Sequence, residues 1–171
     1  LNPADEDDIM QIIGRLPTAS PGIDGGCSIW MFEQNSPLQR LIHQMKYENR
    51  PTIGVELGRI LGRVCAERWA REAADPPELL CPVPLFRTRY LERGYNQSAY
   101  LARGVGNVLE REVLNGVLIR SRVTRSQTNL NRTERWNNVR TAFAIVDAEV
   151  IDGRTVLLID DILTTGSTLA A

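Results

Sequence analysis

Residues 156 to 168, Val156-Leu157-Leu158-Ile159-Asp160-Asp161-Ile162-Leu163-Thr164-Thr165-Gly166-Ser167-Thr168, combine the side chains and spacing that binding chemistry needs. Four apolar residues predict a strand buried on both faces. Two carboxylates follow at its C-terminal end, where open α/β sheets place their ligands. A hydroxyl- and glycine-rich turn then leads into a helix starting near Ser167. Gly166 lets the backbone approach an anion closely. The free N–H groups of a turn at a helix start converge on one point and can cradle a phosphate. Asp160 and Asp161 would repel that phosphate, so they suit another part of the ligand. Vicinal sugar hydroxyls fit, because an ionised carboxylate only accepts hydrogen bonds. A capped strand end would account for one Asp and one Thr, but not for paired acids followed by Thr-Thr-Gly-Ser-Thr. No lysine lies here and the glycine spacing differs from a Walker A loop, which excludes that loop.

A second candidate segment is Pro82-Val83-Pro84-Leu85-Phe86-Arg87-Thr88-Arg89-Tyr90-Leu91-Glu92-Arg93-Gly94-Tyr95-Asn96-Gln97. It follows a short apolar run, Leu79 to Val83. If the sheet is parallel, Arg87, Arg89 and Arg93 share the ligand-facing edge with the phosphate turn. Their planar forks suit pyrophosphate oxygens. Eleven arginines against four acids fall between Arg87 and Arg140, although the whole chain of 171 residues has a net charge of only −1. A basic middle between acidic ends points to an anionic ligand.

The positioning elements follow from periodicity. Leu38, Leu41, Ile42 and Met45 mark an amphipathic helix after Pro37, and a second helix spans about 53–73, ended by Pro76-Pro77. Strands are expected at 79–83, 116–119, 142–146 and 155–159, and a helix from Asn96 or Gln97 to Glu110. Residues 120–135 lack apolar period and read as a loop. The alternation predicts an α/β domain with a mainly parallel central sheet flanked by helices. Residues 1–28 form a small helical and loop appendage, and 29–171 the main domain. The chain starts on Leu1 and stops at Ala171, where a helix is beginning, so it reads as truncated at its C-terminal end. Three widely spaced cysteines, Cys27, Cys65 and Cys81, read as small buried apolar residues rather than a disulfide framework. No run of residues suits a membrane helix or a signal peptide, so a cytoplasmic protein is expected.

The 156–168 segment resembles the thirteen-residue signature of type I phosphoribosyltransferases. The wider pattern is similar to the ComF family of competence-associated phosphoribosyltransferase-like proteins. It comprises the Pro-x-Pro-Leu and Arg-Gly-Tyr-Asn-Gln elements above and Leu41-Ile42-His43-Gln44-Met45-Lys46-Tyr47. It continues in Gln127-Thr128-Asn129-Leu130 and Glu134-Arg135-Trp136-Asn137-Asn138-Val139-Arg140-Thr141-Ala142-Phe143. The resemblance covers roughly residues 30 to 171 with its elements in order. It implies that Asp160 and Asp161 hold the ribose hydroxyls of 5-phosphoribosyl-1-pyrophosphate (PRPP). Leu163, Thr164, Thr165, Gly166, Ser167 and Thr168 would then bind its 5-phosphate, with Mg²⁺ as cofactor and a nitrogen acceptor as second substrate. Gln127, Arg132 and Arg135 are expected in a lid over the site. Glu134 and His43 suit acid–base work by residue type only. Family members often carry a four-cysteine zinc ribbon near the N-terminus; with Cys27 alone there, no ribbon is expected here. The same resemblance leaves room for a non-catalytic PRPP sensor, or for an accessory of the competence machinery that meets single-stranded DNA.

Overall fold

The computed structural model describes residues 25–29, 35–121 and 142–163. Helix α1, Pro37–Tyr47, starts as its sequence demands: Ser36 accepts from the Gln39 N–H and Pro37 supplies a preset φ at the first position. Leu38, Ile42 and Met45 are buried one helical turn apart. Leu41, expected on the same face, is exposed, because it lies 100° round the helix from Ile42.

Helix α2, Pro51–Glu72, ends on Ala73 in the left-handed region, with the Ala74 N–H bonded to the Trp69 carbonyl. Strand β1, Leu79–Pro82, follows and is buried throughout. A seven-residue helix α3, Arg87–Arg93, comes next, where the sequence offers no apolar period. Helix α4, Gln97–Leu109, is capped by Asn96, whose side chain accepts from the Ser98 N–H. The remaining strands are β2 (Glu112–Val113), β3 (Leu118–Arg120), β4 (Phe143–Ile145) and β5 (Val156–Ile159).

The order β2-β1-β5 makes a small, fully parallel sheet. Leu79, Leu80, Cys81 and Pro82 lie opposite Val156, Leu157, Leu158 and Ile159 in register. The two chains therefore leave the sheet side by side at the same edge. Leu80 and Ile159 join Leu57 of α2 and Leu101, Ala102 and Val105 of α4 in one core. The expectation for β5 needs correcting. It is an edge strand of the described sheet, only Ile159 is buried, and Leu158 on the opposite face is exposed. β3 and β4 do not join the parallel sheet; they pair antiparallel as a separate ribbon, with the Arg120 guanidinium over the Phe143 ring. Mixed α/β architecture thus holds, with a smaller parallel sheet than the sequence suggested. The N-terminal helix expected within residues 1–24 lies outside the described residues. Gly26 and Cys27 dock on α2 through Arg68, which donates to the Gly26 carbonyl, and through a thiol contact between Cys27 and buried Cys65.

The α2–α4 crossing is unusually close. Gly54, Gly58 and Gly62 recur at four-residue spacing on the buried face of α2; from α4, Gly104 meets Gly58, while Tyr100 and Leu101 face Gly54 and Val105 and Val108 face Gly62. A Cβ on Gly104 would lie 2.1 Å from the Val55 carbonyl oxygen and 2.8 Å from Gly58 Cα, both backbone atoms that cannot swing away. Alanine would gain about 1 kcal/mol of helix propensity, but overpacking a rigid contact costs typically 1–3 kcal/mol and more where backbone must move. The clash wins. Gly104→Ala should lower stability by about 2 kcal/mol, read as a lower urea midpoint with an unchanged slope; an unchanged midpoint would show that the helices can separate freely.

Candidate functional site

At the C-terminal edge of the sheet the chain turns away from β5 at Asp160 and away from β1 at Val83. These two exits are tied together. The Asn96 side-chain amide donates to the Val83 carbonyl while its oxygen caps α4. The cap sets Ser98 at the start of α4, and its hydroxyl donates to Asp160 Oδ1 at 3.1 Å. The Asp161 N–H donates to the same oxygen at 2.8 Å. From the end of α1, Lys46 Nζ reaches Asp161 Oδ2 at 2.6 Å, with both side chains only about 15% exposed. Tyr95 donates its hydroxyl to the Met45 carbonyl, and the Arg93 guanidinium lies over the Tyr47 ring at 5.7 Å. Residues 45–47 are thus held on three sides. The segments singled out at 41–47, 82–97 and 160–161 converge on one place.

The electrostatics there are those of two adjacent acids. Burial, followed by the neighbouring Asp161 charge, pushes the Asp160 carboxyl up to about 7. Hydrogen bonds from the Asp161 N–H and Ser98, and the Lys46 charge, pull the other way without winning. Asp160 is therefore poised to change charge near neutral pH. A groove of about 770 Å³ runs between α1, α2 and β5, apolar along Ile42, Leu57 and Leu157, and ends at Asp160, Asp161 and Leu163.

The arginines divide. Arg87 and Arg89 are exposed on α3, and Arg89 pairs with Glu92 at 3.0 Å. Arg93 turns inward beside Gly94, which has a φ of 78° suited to glycine, and donates to Gln97 Oε1 at 2.9 Å. Arg93 Nε and Gln97 Nε2 are buried donors without a hydrogen-bond partner among the described residues. His43 is exposed, 3.7 Å from Glu48, with its ring tilted at 45° against that of Tyr47. Thr164 to Thr168, the lid candidates Gln127, Arg132 and Arg135, and Glu134 lie outside the described residues. Ser98 and Lys46 went unassigned in the sequence. The available signals were the place of Lys46 in the 41–47 element and its being the single lysine among twenty basic residues.

Comparison with known proteins agrees with these motifs. The chain is 34% identical over 134 residues to competence protein F of Haemophilus influenzae and 32% identical over 134 residues to DNA utilization protein YhgH of Escherichia coli K12. Each match covers 78% of this chain and 58% of the relative. A 165-residue match at 28% identity to DNA utilization protein YhgH of Salmonella typhimurium covers 91% of this chain and 72% of that protein. No family model and no solved structure matches the chain. These relatives, at 28–34% identity over most of this chain, support the resemblance to the ComF family. It spans little more than half the length of the first of these relatives. Among the described residues, no helix is long and apolar enough to cross a membrane.

The raised Asp160 carboxyl has a consequence for stability. Its ordinary value is 3.8 and its folded value about 7. Between these the folded chain binds more protons than the unfolded one, so this group's contribution to stability falls as pH rises from about 4 to about 7. Asp160→Asn keeps an oxygen to accept from Ser98 and Asp161 but abolishes the charge. It should melt several degrees above the unsubstituted chain near pH 8, at about 2–4 °C per kcal/mol for a chain of this size, with the difference shrinking as pH falls and vanishing only below about pH 4. A melting difference independent of pH would refute the charge assignment.

Proposed function

We propose that this protein binds the ribose 5-phosphate group of PRPP at the C-terminal edge of its parallel sheet, as a phosphoribosyltransferase-like domain. The observation that carries the reading is the fixed aspartate pair: two neighbouring carboxylates, one held by Ser98 and one by Lys46, at the end of β5 and immediately before the Leu163-Thr164-Thr165-Gly166-Ser167-Thr168 run. Carboxylates held in place by their neighbours suit the paired hydroxyls of a sugar, and the hydroxyl-rich run suits its phosphate. Buried, unpartnered donors are rare in native proteins. Arg93 Nε and Gln97 Nε2 are two such donors beside the site, which supports an acceptor-rich ligand such as pyrophosphate.

Asp160 Oδ2 and Asp161 Oδ1 receive no hydrogen bond from a described residue. Each open oxygen can accept a ribose hydroxyl, while Mg²⁺, which takes few protein ligands, would be held mainly by oxygens of the bound ligand and by water. When bound, Mg²⁺ would supply charge neutralisation for departing pyrophosphate. Arg93 would bind and orient the pyrophosphate, and the aspartates would fix the ribose so that its anomeric carbon faces a nitrogen acceptor. The lid assigned to Gln127, Arg132 and Arg135 would exclude water that otherwise hydrolyses PRPP.

A second reading has its own support. The relatives are named for competence and DNA utilization, and α3 shows Arg87, Arg89, Tyr90 and Leu91 to solvent. Cations interleaved with an aromatic ring suit single-stranded DNA. Under this reading the protein serves the uptake or use of DNA, inside the cell, and the sugar-phosphate site regulates that work or senses PRPP without turnover.

Two measurements decide between these readings. Asp160→Asn with Asp161→Asn should weaken PRPP binding, followed by calorimetry with Mg²⁺, by tenfold or more, since charge-assisted hydrogen bonds contribute about 1.5–3 kcal/mol each. Unchanged affinity would remove the aspartates from the site, and pyrophosphate release with a panel of nitrogen bases separates an enzyme from a sensor. For DNA, Arg87→Ala with Arg89→Ala should weaken binding of a fluorescent oligonucleotide and flatten its salt dependence by about 1.4 in log–log slope. An unaltered slope would exclude α3 as the contact.

A further inference from the structure

Lys46 is the single lysine beside nineteen arginines, and among the described residues it is the cation within ion-pair distance of the aspartate pair. Its position is set from both sides. Met45 is almost wholly buried and accepts from the Tyr95 hydroxyl, while Tyr47 lies under Arg93. The last turn of α1 also presents the negative end of the helix dipole, which favours a cation there. A mostly buried ion pair adds little net stability, because desolvation offsets the attraction. The choice of lysine over arginine needs another reason.

Geometry supplies one. An ammonium is a compact point charge that engages one carboxylate oxygen, whereas a guanidinium fork engages both in parallel. Lys46 meets Asp161 at Oδ2, and no described residue donates to Oδ1. Asp161 is thereby oriented and still open at one oxygen. We propose that Lys46 is the specificity-determining residue of this site: it positions Asp161 by a single oxygen and leaves the other to accept a hydroxyl of the ribose ring, so that the site distinguishes ribose 5-phosphate from its deoxy analogues. The inference rests on the sugar-phosphate reading above. It adds that lysine cannot be exchanged for arginine here, although the charge is the same.

The test compares binding of ribose 5-phosphate, 2-deoxyribose 5-phosphate and 3-deoxyribose 5-phosphate to the full chain and to Lys46→Arg, with melting temperatures recorded alongside. The unsubstituted chain should prefer the ribose form over both analogues by about tenfold or more, the worth of one hydrogen bond to a charged group. Lys46→Arg should melt close to the unsubstituted chain yet lose the preference over one of the two analogues, because its fork occupies Oδ1. Retention of both preferences by Lys46→Arg would overturn the inference. Lys46→Met removes the group that orients Asp161, so it should lose the preference over the same analogue while melting lower. Retention of both preferences by Lys46→Met would overturn the inference equally, since the site would then discriminate without Lys46. Failure of the unsubstituted chain to bind ribose 5-phosphate would instead sink the sugar-phosphate reading itself. Equal binding of all three sugars by it would remove Asp161 from hydroxyl recognition.

Discussion

Two carboxylates on consecutive residues repel one another, and taking them out of bulk water strengthens that repulsion to a few kcal/mol. Asp160 and Asp161 are held in that situation, and much of the surrounding structure serves to make it tolerable. α1 supplies a cation, α4 a hydroxyl, and the β5 exit its own amide. None of these compensates fully, since the Asp160 carboxyl still stands near 7. A site that keeps an uncompensated charge gives up stability, and such sites persist where a ligand uses the charge.

The compensating groups come from distant parts of the chain, so their placement depends on how the layers stack. The parallel register of β1 and β5 sets the two strand exits side by side. Asn96 fastens the start of α4 to the β1 exit, which puts Ser98 opposite Asp160. The depth of α4 is fixed in turn by α2, where backbone meets backbone at Gly58 and Gly104. Any side chain at that crossing would lift α4 from α2 and disturb the Ser98–Asp160 distance with it. The glycines thus bear on the site although they lie far from it in sequence.

These relations explain what could be read from residues alone. β1, β5, α1, α2 and α4 were legible because each carries an apolar run or a helical period bounded by Pro, Ser or Asn, signals local to a few residues. β2 was not, because two residues have no period, and α3 was not, because a seven-residue charged helix buries no face. β3 and β4 were visible as strands, but their antiparallel pairing is a tertiary choice that no local pattern records. Asp160 and Asp161 stood out from their neighbours in sequence, whereas their partners Ser98 and Lys46 are ordinary residues until the fold brings them in. The close α2–α4 approach had a trace in the spacing of Gly54, Gly58 and Gly62, which reads as weakness in a helix unless a partner helix is known.

Charge along a sequence differs from charge in space. The arginine-rich middle of the chain suggested one anion-binding face, yet α3 separates its three arginines by function. Arg87 and Arg89 stay in solvent, the latter neutralised by Glu92 one helical turn on. Arg93 sits on the last turn, where Gly94 adopts a left-handed conformation and sends Tyr95 into the core, drawing the guanidinium over Tyr47 and against Gln97. A single backbone reversal thus decides which arginine is half-buried, with its buried Nε donor unpartnered among the described residues, and which belong to the surface. Weakly screened, partly desolvated charges recognise ligands by geometry, whereas solvated ones act mainly by attraction at a distance that salt abolishes. The inward arginine therefore suits a small anionic ligand, and the outward pair suits a polyanion.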